Sequence, residues 1–139
     1  MHKPLWSLRP QSNDDGTVSL VELNPTLQEA SQNMIPAGIQ RIIAGHIHVF
    51  EALSFADSRA PSFVIGTGGT SLDPQPEGSL EGVAIGGTTV RNGSIVAQFG
   101  FTTLERIGSE WITQLRGVDG TPVHTCSTAG RDIDCADEP

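Results

Sequence analysis

The stretch Arg41-Ile42-Ile43-Ala44-Gly45-His46-Ile47-His48-Val49-Phe50 decides how this chain is read. Residues 41–44 form a short apolar run ending at a glycine, the pattern of a buried strand. Val49 to Ala56 reads as the next strand. Residues two apart on an extended chain face the same way, so His46 and His48 are expected to project together. Gly45 lets the backbone turn tightly beside them. Such a pair can hold one metal, or give one ligand to each of two metals about 3.5–4 Å apart. It can equally be two ordinary surface histidines. His2, in a Pro-containing loop at the start, is the third candidate ligand. No cysteine lies nearby to soften the site, which suits Zn, Fe, Mn or Ni.

Outward from this stretch the chain is rich in turns. Ser62-Phe63-Val64-Ile65 reads as a third strand, followed by Gly66-Thr67-Gly68-Gly69-Thr70. The backbone N–H groups of that loop could cradle a phosphate, but the Lys and following helix of a P-loop are missing. Residues 73–82 read as a long exposed loop. Gly82–Arg91 and Ser94–Thr103 flank Asn92-Gly93, a strong hairpin signal; Trp111–Arg116 and Thr121–Thr125 flank Asp119-Gly120, a second one. Upstream, residues 2–10 read as loop and 11–16 as a polar turn. Asn24 as N-cap and Pro25 in the first turn predict one helix, running to Asn33 or Met34 and stopping before Pro36. The predicted order is loop, helix, then seven or more strands.

Composition agrees with a strand-rich reading. The 139 residues suit one domain, and Gly 16 with Pro 9 implies many turns. Lys plus Arg is 8 against 16 for Asp plus Glu, a net charge of −8. That balance argues against a sequence-independent grip on nucleic acid or an anionic membrane. No apolar stretch approaches the roughly 20 residues of a membrane-spanning helix. Met1–Trp6 lacks the charged and apolar regions of a signal peptide.

Cys126 and Cys135 bracket a Gly-containing turn. Opposed strands bring Cβ atoms to about 4.5–5.5 Å, near what a disulfide needs. A disulfide is the favoured reading in an oxidising compartment, adding about 3 kcal/mol at most; two separate thiols are the alternative. No CxxC or second pair suggests a zinc site. His124 reads as an ordinary hairpin histidine and Trp6 as a packed loop anchor. Glu51 and Asp73 read as solvent-facing or as orienting a histidine, not as metal ligands.

Three segments together carry a resemblance: His2-Lys3-Pro4-Leu5-Trp6, then Gly45-His46-Ile47-His48 with Phe50-Glu51, then Val64-Ile65-Gly66-Thr67-Gly68-Gly69-Thr70-Ser71-Leu72-Asp73. In this order they resemble the C-terminal half of a calcineurin-like metallophosphoesterase, most nearly the bacterial exported members, which are periplasmic or secreted. The resemblance spans nearly the whole chain. It implies an α+β, strand-rich fold, the C-terminal part of an αββα sandwich, with residues 1–139 a single partial domain and 104–139 its C-terminal hairpins.

The implied chemistry is hydrolysis of a phosphoester substrate by metal-bound hydroxide at two divalent ions of the Fe, Zn or Mn class. His2 and His46 would be ligands of the second metal and His48 of the first. Gly68, Gly69 and Thr70 would border the site as a substrate loop. The family's DxH, GDxxD and GNH(D/E) motifs have no counterpart here. The expectation is therefore a chain lacking an N-terminal half, without a catalytic residue of its own, holding at most one metal weakly and inactive alone. Its 41–44 and 62–65 strands should pair, leaving strand edges and one apolar sheet face uncovered. The rival expectation is a non-catalytic β-rich module that binds a metal or a protein partner.

Overall fold

The computed structural model describes residues 1–31, 35–69 and 71–137. The expected helix end at Asn33 or Met34, and Thr70 of the expected substrate loop, lie outside them. Strands make up 48% of the chain and helix 5%. The elements are β1 (Leu8–Ser12), β2 (Val18–Glu22), α1 (Pro25–Ser31), β3 (Ile42–Ala44), β4 (Phe50–Phe55), β5 (Ser62–Ile65), β6 (Ala84–Ile85), β7 (Thr88–Val96), β8 (Gly100–Ile107), β9 (Glu110–Gly117), β10 (Pro122–Ala129) and β11 (Asp132–Asp137).

They form a two-stranded sheet β1-β2, a five-stranded sheet β3-β5-β4-β7-β6 and a four-stranded sheet β11-β10-β9-β8. This corrects the expected fold class. The molecule is mostly β, with one described helix and a curled half-barrel, and is not an αββα sandwich. One seven-residue helix cannot make a helical layer on either side of a sheet.

The five-stranded sheet is the centre. Strands β3 and β5 are parallel, and β4 is antiparallel to both β5 and β7. All six residues of β4 are buried, because both of its faces are covered. One face packs Val49, Leu53 and Phe55 with Leu5, Trp6 and Leu8 of the N-terminal segment. The other packs Phe50, Ala52 and Phe63 with Leu115, Cys126 and Ile133 of the four-stranded sheet. The strands at 41–44 and 62–65 do pair, but the apolar face expected to be open beside them is filled. Even the outer edge of β3 is partly occupied. The Met1 ammonium donates to the Ile43 carbonyl at 2.9 Å, and the Gly45 N–H donates to the His2 carbonyl at 3.1 Å. Ile65 at the end of β5 is exposed, but half of the exposed large apolar residues lie together elsewhere: Phe99, Phe101, Leu104, Ile107 and Val118 sit on or beside β8, the last strand of its sheet.

Local readings fared unevenly. The 62–65 strand and the Asp119-Gly120 turn between β9 and β10 are as expected, the latter with Gly120 at φ 86. Asn92-Gly93 is not a turn. It lies inside β7, and a Cβ at Gly93 would stand 2.7 Å from Leu53 Cδ2 and 3.0 Å from the Ala52 carbonyl. The glycine is there for close approach beside an irregularity in the β4–β7 register. The hairpin turn is Gly86-Gly87, at φ 55 and 77, between β6 and β7. Residues 8–12, expected as loop and turn, are strand β1, hidden by Pro10 and its polar neighbours. Asn24 precedes α1 with φ 57, and its carboxamide N–H donates to the Pro4 carbonyl at 2.9 Å. That bond ties the helix to the segment carrying His2. Cys126 and Cys135 are opposed on β10 and β11 and joined as a disulfide.

Candidate metal centre

Two of the three expected ligands meet. His46 Nδ1 lies 3.2 Å from His2 Nε2 across 44 positions of chain, with the rings edge to face. The contact follows from the strand β3, which carries Gly45 and His46 past the N-terminal segment, and from the two backbone bonds that hold this segment against it. Two imidazole nitrogens bound at about 2.0–2.1 Å to one tetrahedral cation stand about 3.3 Å apart. The observed separation thus fits a shared ion, and both rings are exposed and accessible.

The reason for the convergence differs from the expected one. His46 and His48 do not share the face of a strand. Residues 46–49 form a bend, and His46 has φ 75, a left-handed conformation that a non-glycine residue adopts at a cost. Gly45, expected to supply the tight turn, does not have a positive φ; His46 carries it instead. The twist sends His46 to His2, while His48 Nδ1 lies 3.4 Å from Ser71 Oγ. His48 is half-buried and its backbone is fixed from both directions. Its N–H donates to Asp73 Oδ2 at 2.9 Å, and its carbonyl accepts from the Asp73 N–H at 3.1 Å. Asp73 Oδ1 also accepts from Arg9 Nη2 at 3.1 Å. Asp73 therefore orients a histidine without facing the ligand position.

Gly66 lies under the same bend. A Cβ there would collide with the Ile47 carbonyl, and the Gly66 N–H donates to the Val49 carbonyl at 3.0 Å. This glycine, and not Gly68 or Gly69, carries the histidine loop. Gly68 and Gly69 line a shallow cavity with Thr67, Phe99, Gly100, Phe101 and Val118, in which no histidine takes part.

The electrostatics are local. The His46 pKa is held below the ordinary imidazole value, first by partial desolvation and then by the charges of His2, Lys3, Arg9 and His48. In a chain of net charge −8, Lys3 and Arg9 give this end a local cationic character. Lowering the pKa favours neutral imidazole, the form that binds metal.

Glu51 is not solvent-facing. It is wholly buried under Leu8, whose N–H donates to Oε2 at 3.0 Å, and Oε1 has no hydrogen-bond partner. Burial pushes its pKa up to about 8, opposed by the Ser7 hydroxyl and the Leu8 N–H. Trp6 is packed, edge to face with Phe55 and beneath the Arg59 guanidinium at 4.6 Å. Arg9 was missed and carries no local signal; Gly66 and Ser71 stood in the 64–73 segment of the resemblance, but only the fold shows what each does beside the histidines. Compared with protein-family models, with curated proteins and with solved structures, the chain matches none of them.

Proposed function

We propose that His2, His46 and His48 serve a divalent-metal site for phosphoester hydrolysis. The observation that carries this reading is the 3.2 Å approach of His46 Nδ1 to His2 Nε2. The reading rests on the site and its motif order, not on the fold. A cation held there would neutralise charge on phosphoryl oxygens and lower the pKa of water. His2 and His46 supply two nitrogen donors from one edge of the sheet. His48, pinned by Asp73 and Ser71 in the adjoining bend, stands apart from that pair and would have to turn toward it to supply a third. The charges of Lys3 and Arg9 reach His46, so a dianionic phosphoryl group beside it would meet favourable charge. No described carboxylate bridges these histidines. The chain by itself is therefore expected to bind metal without turnover.

The closed core favours a second reading. Both faces of the five-stranded sheet are covered, which suits a self-sufficient, non-catalytic module that holds a metal or a partner.

Calorimetric titration of the chain with Mn2+ and Zn2+, repeated with His46→Ala and with inorganic phosphate, tests both. The first reading expects metal binding that weakens at least tenfold in His46→Ala, with phosphate binding that depends on the metal. Metal binding with no linked phosphate binding selects the module. Metal binding unaffected by His46→Ala refutes the site.

A further inference from the structure

A second set of ligands lies at the far end of the chain. The sulfurs of Cys126 and Cys135 and one ring nitrogen of His124 all stand within 4.8 Å of one another. His124 is 3% exposed and packs edge to face with Phe50. Its Nδ1 is 2.7 Å from Asp137 Oδ1, and its Nε2 is buried with no hydrogen-bond partner. With Nδ1–H donating to the carboxylate, Nε2 keeps its lone pair. A buried, unpartnered acceptor, on a ring that stands beside two sulfurs, is costly unless it has a use. The pairing of Nδ1 with a carboxylate is how proteins fix a histidine that ligates through its other nitrogen.

We propose that His124, Cys126 and Cys135 form a redox-gated site for a thiophilic divalent cation, closed while the disulfide stands and opened by its reduction. A dithiol reductant breaks the S–S bond. It gives two electrons and two protons to form two thiols, and leaves as its own disulfide. Zinc then displaces the two thiol protons and forms two Zn–S bonds and one Zn–N bond to Nε2. A fourth position stays open. Two thiolates at about 2.3 Å from a tetrahedral ion stand about 3.8 Å apart. Rotation about the Cα–Cβ bonds of directly opposed residues on β10 and β11 spans that separation with the backbone still. Two sulfurs and one imidazole select zinc-like ions over manganese or magnesium. The ligands come from neighbouring strands of one hairpin, which is why no CxxC spacing betrays them.

The test is cobalt titration of the full chain after reduction by a phosphine, which leaves as its oxide and does not hold the metal. The reduced chain should show a thiolate-to-cobalt charge-transfer band at one equivalent, displaced by zinc. The oxidised chain should show none. His124→Ala should weaken zinc at least tenfold, and Asp137→Asn about tenfold. The band should persist in His2→Ala and His46→Ala. Circular dichroism follows the strands throughout. A reduced chain that unfolds and is refolded by zinc supports the site. Cobalt bound without the thiolate band, a band indifferent to His124→Ala, or a reduced chain that zinc does not refold overturns it.

Discussion

Glu51 shows what one buried side chain does to the whole chain. Its pKa is about 8 in the folded state, against an ordinary value of 4.5. Below about pH 4.5 it is protonated whether the chain is folded or not, and stability is full. Between about 4.5 and 8 the unfolded chain ionises while the folded one keeps its proton. Stability must then fall with rising pH and level off above about 8, by an amount of the order of a few kcal/mol. Urea midpoints measured from pH 4.5 to 9 should fall for the native chain and fall less for Glu51→Gln. Gly66 shows the steric counterpart. Gly66→Ala sets a methyl against the Ile47 carbonyl, with backbone on both sides. Thermal unfolding should show a loss of about 3 kcal/mol, and the metal binding proposed at His46 should weaken with it, because the bend must move. Neither residue could be singled out from the sequence. Glu51 stands one place after Phe50 in an alternating strand and looks half-solvated. Gly66 is one glycine in a run of three, and only the crossing backbone distinguishes it.

At the scale of elements, strands were legible where the local chain alone is decisive. Residues 62–65 and 41–44 are short and β-prone; the first is a strand as expected and the second is one from Ile42 to Ala44. Signals that depend on a neighbour were misread. Asn92-Gly93 has turn chemistry, but Leu53 and Ala52 press on Gly93 and the strand runs through. The same reasoning separates two substitutions. Gly93→Ala should destabilise by about 1–3 kcal/mol through overpacking against β4. Gly87→Ala meets no atom within 4 Å, and its cost, about 1–2 kcal/mol, is that of a positive φ alone. Melting curves with Leu53→Ala as a second change distinguish them. Removing the Leu53 methyls should relieve Gly93→Ala and leave the Gly87→Ala cost unchanged. The histidine pair follows the same division. The nearness of His2 and His46 was legible through motif order. The role of φ at His46, which undoes the shared-face argument for His48, was not, because a twist of one residue leaves no mark in composition.

For the molecule as a whole, the question is where apolar surface remains. Beside β3 and β5 it is confined to Ile65 at the end of β5, 37% exposed, whereas along β8 Phe101 is 49% exposed, Ile107 57% and the nearby Val118 84%. An end strand carrying exposed apolar residues invites pairing between copies. Light scattering of the native chain should rise with concentration and with salt, as the repulsion from a net charge of −8 is screened. Phe101→Lys should lower it without lowering the melting temperature. The two ends of the chain also differ in how far apart their partners lie. His2 meets His46 across 44 positions and Arg9 meets Asp73 across 64, whereas β8 to β11 pair with their immediate successors. Distant contacts carry a closure entropy that adjacent hairpins do not. The expected order of assembly is hairpins first, histidines late. In native-state hydrogen exchange the amides of Gly45, His48 and Asp73 should open at lower free energy than those of β9 and β10. Anything held between His2 and His46 is then released by a fluctuation that leaves the rest of the chain folded.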